Sequence, residues 1–228
     1  MLTSTERQFT ILFFIIVLFE LITGSVPELA LAHYLAKPAI VISLMVLFIN
    51  SSHKLSSGIR KTTLLALGFS LLGDILLMFV NQSTHFFTLG LIAFLLAHIM
   101  YIIVFLKHRN NKRSPIGFLL LLIIYASGLF FFLKDGLGEM FIPVIFYIVI
   151  ILSMAATAFL RKSMVSNLSY LLVLIGAIVF IFSDSSLAIN KFHKELPFAN
   201  IIVMLTYAIA QYLIVLGILK INVTNTKV

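Results

Sequence analysis

Gly176-Ala-Ile-Val-Phe-Ile-Phe-Ser183-Asp184-Ser185-Ser186-Leu-Ala-Ile-Asn190-Lys191-Phe192 continues an apolar run that began near residue 169, and together they are long enough to cross a bilayer. The run carries a carboxylate. An ionisable group in hydrocarbon is costly and marks a functional site by default, so Asp184 is the first candidate residue. A structural alternative is an Asp near a helix end that reaches interfacial water, helped by the polar Ser185, Ser186 and Asn190. A second occurrence weighs against it, because Gly68-Phe-Ser70-Leu-Leu-Gly73-Asp74-Ile-Leu-Leu-Met78 sets Asp74 in the same kind of surroundings.

Composition extends this reading to the whole chain. With 61% hydrophobic residues, 11% charged, 22 Phe in 228 positions and a mean hydropathy of +1.16, it is a polytopic membrane protein rather than a soluble domain. The longest polar connections, Asn50 to Thr63 and Lys107 to Ser114, are too short to fold separately. The absence of cysteine excludes disulfides, thiolate metal sites and a cysteine nucleophile. A formal charge of +8 suggests nucleic acid in a soluble protein, but the basic residues here lie in short loops between apolar segments. No nucleic-acid partner is expected; the charges set orientation.

Eight segments satisfy the length of a span, about 9–23, 29–49, 63–80, 86–106, 115–133, 141–160, 169–190 and 197–219. The expected fold is therefore all-α, a single domain over 1–228 forming a bundle of eight transmembrane helices. The first segment is short and follows Arg7, and Ala30-Leu-Ala32 offers a small-x-small cleavage site. Cleavage there would cut into the second span, so the first is expected to stay as a helix. With the N-terminus inside, twelve Lys and Arg fall in inner segments and three (Lys134, Lys191, Lys194) in outer loops. Both termini are then cytoplasmic, and a cell (inner) membrane is the expected location.

That topology gives the polar residues a depth. The third and seventh spans run outward, so Asp74 and Asp184 lie at one level in the outer half of the bilayer, with Glu20 and Lys37 nearby. His98, Tyr207 and Gln211 lie somewhat deeper. Asp74 precedes Tyr101 by 27 residues, as Asp184 precedes Gln211. A parallel four-plus-four repeat gives such an echo, and so does chance among apolar helices.

Several pieces, in order, resemble one family: Lys37-Pro38, Phe69-Ser70-Leu-Leu-Gly73-Asp74, Gly90-Leu-Ile-Ala-Phe-Leu-Leu-Ala-His98-Ile-Met-Tyr101, Tyr147 with Met154, Phe182 to Phe192, and Tyr207 with Gln211. Together they resemble the YhhN-like lysoplasmalogenases. The resemblance implies an eight-helix membrane ether hydrolase, acting without a cofactor, that cleaves the vinyl ether of lysoplasmalogens to a fatty aldehyde and a glycerophosphocholine or glycerophosphoethanolamine. It also implies a lysophospholipid substrate reached among membrane lipids, and Asp74 and Asp184 as the catalytic pair.

The chemistry suits two carboxyl groups. Vinyl ether hydrolysis needs an acid that protonates the β-carbon and a base or charge stabiliser for the oxocarbenium-like ion and the incoming water. Two neighbouring Asp in low dielectric should retain one proton near neutral pH. Apolar Leu71, Leu72, Ile75 and Leu77 favour Asp74 as the acid; Ser183, Ser185 and Ser186 offer Asp184 donors for its ionised form. Candidate substrate-binding residues are Lys37, His98, Tyr101, Tyr147, Asn190, Tyr207 and Gln211. Each has a plainer alternative: Lys37 snorkelling to the interface, His98 and the tyrosines bonding between helices. No metal site is expected, since the other histidines fall near loops or helix ends. The rival function classes are a proton-coupled transporter, which also uses intramembrane Asp, Lys and His, and a lipid-binding membrane protein.

Overall fold

The computed structural model describes residues 3–221. Among these residues there are eight α-helices and no strand: α1 (Ser4–Thr23), α2 (Ala30–Ser51), α3 (Ser57–Leu77), α4 (Thr84–Leu106), α5 (Ile116–Leu133), α6 (Phe141–Phe159), α7 (Asn167–Phe192) and α8 (Ala199–Leu219). The helices outrun two of the apolar segments at their N-terminal ends, and the cause is capping. Thr3 and Glu6 form a capping box that starts α1 five residues ahead of the expected span. The Ser56 hydroxyl accepts from the Ile59 amide, so α3 begins at Ser57 and includes Arg60 and Lys61. In α2, the helix runs unbroken through Pro38, whose missing N–H leaves the Tyr34 carbonyl without its usual donor.

Six segments are long and apolar enough to cross a membrane by length and composition: Pro27–Ser51, Thr84–Leu106, Ile116–Gly136, Gly138–Phe159, Asn167–Phe192 and Ala199–Leu219. The two helices outside that set each carry three charged residues, Glu6, Arg7 and Glu20 in α1 and Arg60, Lys61 and Asp74 in α3. Large apolar side chains point outward all round the bundle; Leu31 is 83% exposed and Ile124 72%. Such a surface matches hydrocarbon rather than water, and the chain is an integral membrane protein.

Two helix pairs pack most extensively, α3 with α4 and α7 with α8. Close approach needs small residues. A Cβ added at Gly176 would stand 3.0 Å from the Ala210 carbonyl oxygen, and one at Gly217 would stand 2.9 Å from the Val173 backbone nitrogen. The pairings recur along the chain. Contacts α1–α2, α2–α3, α3–α4 and α4–α6 reappear four helices later as α5–α6, α6–α7, α7–α8 and α8–α2. This is the pattern expected of a parallel internal repeat about an axis normal to the membrane.

At the end of the bundle where α4, α6 and α8 terminate, Arg161 is fully buried. Its guanidinium donates to the Ser169 hydroxyl at 2.9 Å and the Ser169 carbonyl at 3.4 Å, and lies 5.4 Å from the Phe105 ring. Ser169 in turn donates to the Gly217 carbonyl at 2.6 Å. Burial pulls the Arg161 pKa down to about 10, which leaves it charged at neutral pH. The negative ends of three helix dipoles supply part of what a counter-ion would.

Candidate active site

Asp74 projects from the last turn of α3 and is 2% exposed. The Tyr207 hydroxyl of α8 donates to its Oδ2 at 2.8 Å. Tyr207 is itself held from behind. Gln211, one turn further along α8, donates through Nε2 to the Ser70 hydroxyl at 2.8 Å and towards the Tyr207 oxygen at 3.5 Å. Its Oε1 accepts from the Tyr101 hydroxyl at 2.6 Å. With Gln211 supplying a proton to the Tyr207 oxygen, the Tyr207 hydroxyl is left to donate forward, to Asp74.

Asp184 of α7 has a separate set of partners. The Tyr147 hydroxyl of α6 donates to its Oδ2 at 2.5 Å, and Nε2 of His98 of α4 lies 3.3 Å from the same oxygen and 3.0 Å from the Tyr147 oxygen. A proton on Nε2 serves both acceptors, in keeping with a buried Nδ1 that has no hydrogen-bond partner among the described residues. The His98 ring is fully buried and stands edge-on to Phe180, centroids 4.6 Å apart. The Asp184 side chain is 17% exposed, more open than Asp74.

Both carboxylates line one cavity of about 1210 Å³. Lys37, Tyr147, Asn190 and Tyr207 line it as well, whereas His98, Tyr101 and Gln211 stand behind the lining as supports. Asn190 is engaged locally, its Oδ1 accepting from the Leu196 amide at 2.9 Å to hold the α7–α8 connection. On the α5–α6 side the wall is apolar, with Leu129, Leu133, Val144, Ile148 and Ile151. Among the described residues no group of three or more His, Asp and Glu is placed to hold a metal ion.

Some surroundings differ from those the sequence suggested. The serines beside Asp184 do not donate to it: Ser185 donates to the Ile181 carbonyl, Ser186 to the Phe182 carbonyl and Ser183 to the Val203 carbonyl. Ser185 and Ser186 turn back to the preceding turn, as helical hydroxyls commonly do, while Ser183 crosses to α8. Around Asp74, Leu72 and Ile75 face outward at 45% and 36% exposure rather than enclosing the carboxyl. No hydrogen bond among the described residues joins the two carboxylates, each of which is bound through its Oδ2 alone. Sequence reasoning also passed over His33, which lines the cavity 3.3 Å from Glu20, and the Tyr125 hydroxyl that reaches Ser185 at 2.9 Å. The signal for His33 was its spacing, one helical turn before Lys37 on the same face.

Comparison with known proteins gives a consistent picture. The YhhN family model matches residues 32–218. The chain is 30% identical over 191 residues to a protein of Mycobacterium bovis named lysoplasmalogenase, covering 81% of this chain and 71% of that protein. It is 31% identical over 154 residues to the bovine lysoplasmalogenase TMEM86A, covering 65% of this chain and 61% of the relative. With human lysoplasmalogenase TMEM86B it shares 34% identity over 143 residues, 61% of this chain and 57% of the relative. The matched part thus spans about three fifths of the length of the mammalian relatives. No solved structure gives a significant match.

Proposed function

The chain belongs to the YhhN family, and from that premise we propose that it is a lysoplasmalogenase, an ether hydrolase that cleaves the vinyl ether of a lysoplasmalogen to a fatty aldehyde and a glycerophosphoalcohol. One observation carries this reading. Two carboxylates, each oriented by a tyrosine hydroxyl at its Oδ2, face a single cavity with an apolar wall wide enough for an alkenyl chain.

In this scheme Asp74 is the acid. Its carboxyl proton passes to the β-carbon of the vinyl ether, the C=C electrons form the new C–H bond, and positive charge develops on the α-carbon and ether oxygen. Asp184, which accepts from the Tyr147 hydroxyl and the His98 imidazole, stabilises that charge. It then accepts a proton from water as the water oxygen bonds to the α-carbon. The hemiacetal breaks its bond to the glycerol oxygen, the hydroxyl proton leaves with the alcohol, and the aldehyde is released. A proton returns from Asp184 to Asp74 to restore the start. Tyr147 and Tyr207 hold the two carboxylates, His98 and Gln211 hold the tyrosines, and Tyr101 holds Gln211.

Within the same proposal all eight helices cross the membrane as one domain over 1–228. α1 and α3 are included because their charges lie at the ends or in the cavity. Both termini are cytoplasmic, by the division of Lys and Arg between loops, and the cell membrane is the location.

Turnover in heavy water tests the chemistry. Protonation of carbon must place one deuterium next to the aldehyde carbonyl, read by mass spectrometry before exchange through the enol. An aldehyde carrying only hydrogen there would overturn the paired-carboxylate mechanism. No aldehyde at all from purified protein in detergent would overturn the activity.

A further inference from the structure

Lys37 is a buried nucleophile that the acid–base scheme does not use. It lies seven residues into α2, about 10 Å from the start of that helix, is 9% exposed, and lines the same cavity as Asp74 and Asp184. A lysine so deep is ordinarily paired with an anion or snorkels to the interface. Lys37 does neither. Its ammonium makes no hydrogen bond to a described residue, and no described carboxylate stands within 4.0 Å of it. The Glu20 carboxylate is taken up by His33, Nδ1 to Oε1 at 3.3 Å. Glu20, Lys37 and Asp74 remain close enough for their charges to interact. The other lysine of the cavity lining, Lys191, is differently placed: it is exposed in the last turn of α7, 5.2 Å from the centroid of the Phe87 ring.

An amine in this position faces a particular electrophile. Vinyl ether cleavage leaves an aldehyde whose carbonyl carbon is bonded to the carbon that Asp74 protonates, so it is generated beside the carboxyl with which Lys37 interacts. Lysine captures carbonyl compounds as imines. Asp74, having given its proton to carbon, is the nearby carboxylate that can take one from the Lys37 ammonium. The nitrogen lone pair then bonds to the carbonyl carbon, the C=O electron pair moves to oxygen, and Asp74 returns the proton to that oxygen. A second N–H proton follows to the oxygen, the C–O bond breaks, water leaves and the C=N bond forms. Ammonium and aldehyde have become iminium and water, with no change of charge and with no oxidant or reductant. Addition of water reverses each step and frees the aldehyde.

We infer that Lys37 is a covalent capture site for long-chain aldehydes, holding the product of the cavity as a reversible imine. The alcohol product leaves first, and the aldehyde leaves in a separate, hydrolytic step. Lys191, which stands over an aromatic ring in the last turn of α7, takes no part. The identity of the aldehyde as a product rests on the lipid-hydrolase reading of the site, and the capture site goes beyond that reading.

Reductive trapping tests it. Purified full-length protein in detergent and amine-free buffer is given hexadecanal with sodium cyanoborohydride, which reduces an iminium to a stable secondary amine in preference to the aldehyde. Peptide mass spectrometry of wild type should find one alkyl chain on Lys37 and none on Lys191, a map that needs no variant. Lys37→Arg keeps the charge but cannot form the imine, and its label at this position should fall to background; Lys191→Arg should label as wild type does. No label on Lys37, or equal label on Lys37 and Lys191, overturns the site. A second arm replaces hexadecanal with 1-alkenyl-glycerophosphocholine, whose headgroup has no amine to compete. The same Lys37 adduct should form, and without reductant glycerophosphocholine should appear ahead of free aldehyde by no more than the amount of protein. Simultaneous release of the two products with no adduct overturns capture during turnover. Label from hexadecanal with no cleavage of the lipid overturns the hydrolase reading and supports the Lys37 site.

Discussion

Exchanging each of the two proposed catalytic residues, Asp74 and Asp184, for Asn separates chemistry from fold, and the two positions should respond differently. The amide is isosteric and keeps an oxygen that can accept from a tyrosine hydroxyl, so Tyr207 at 2.8 Å and Tyr147 at 2.5 Å retain their bonds. What goes is the titratable group, with its charge where the Asp is ionised. A hydrogen bond to a charged group contributes roughly 1.5–3 kcal/mol and one between neutral groups roughly 0.5–1.5 kcal/mol. Asp184, the carboxylate of the proposed scheme, has two donors, Tyr147 and His98. Asp184→Asn should therefore cost about 1 kcal/mol at each, or about 2 kcal/mol in all, lowering Tm by about 4–8 °C. In the proposed scheme Asp74 is the resting acid and carries no charge, so Asp74→Asn should leave Tm within about 2 °C of wild type. Aldehyde release should fall to background in both, and the double variant should be no worse than either, because residues acting as a unit are not additive. Thermal unfolding in detergent and a coupled aldehyde assay read both quantities. Wild-type turnover in either variant refutes the catalytic pair; a Tm loss at Asp74 with none at Asp184 refutes the division of acid and base.

Replacing Gln211 with Leu removes the donor that aims Tyr207 and leaves the Tyr101 and Ser70 hydroxyls unpaired; kcat should fall about tenfold or more, with KM for the lipid little changed, measured in the same assay. Gly217→Ala pushes a methyl against Val173 and should destabilise the α7–α8 pair by about 1–3 kcal/mol, seen as a lower Tm. Burial raises the Glu6 pKa, but the Lys220 ammonium at 2.6 Å and the bonds with Thr3 outweigh it and hold the group below the usual glutamate value. The stabilisation from Glu6 is then complete above the usual value of 4.5 and is lost as pH falls through the lowered one. The Tm gap between wild type and Glu6→Gln should close on acidification from pH 7 to 3, and a gap that widens would contradict the sign. Reporters inserted at Asn111 and near Gln82 should lie on opposite sides of the membrane, cytoplasmic and outer respectively, as read by a compartment-dependent enzyme fusion.

The helices were legible because hydrocarbon demands uniform apolar runs, and interior boundaries such as 141–160 against Phe141–Phe159 differ by a residue. Polar first turns were not, since Thr3 with Glu6 and Ser56 act by capping, which hydropathy does not register. Asp74 and Asp184 stood out because a charge in such a run is expensive. Their partners did not. Tyr147 and Tyr207 are compatible with ordinary packing, and only three-dimensional placement turns their hydroxyls onto the carboxylates. Ser185 misled because a helical hydroxyl satisfies itself on its own backbone. Glu20 and His33 sit at the facing ends of two helices, where neither a period nor a motif links them.

The recurring helix pairings put the acid and the base on the same footing. Lys37 and Tyr147 each precede their Asp by 37 residues, and Tyr101 and Gln211 each follow by 27. A chain of two equivalent halves would present two interchangeable carboxylates, and interchangeable groups cannot settle which one keeps the proton. The matched positions differ in what they bring to each carboxylate: Asp184 takes its phenol from Tyr147 at that register, whereas Asp74 has Lys37 there and takes its phenol from Tyr207 of α8. A division of labour between the two proposed catalytic carboxylates would therefore rest on unlike partners, a phenol of α8 for Asp74 and a phenol of α6 with the His98 imidazole for Asp184.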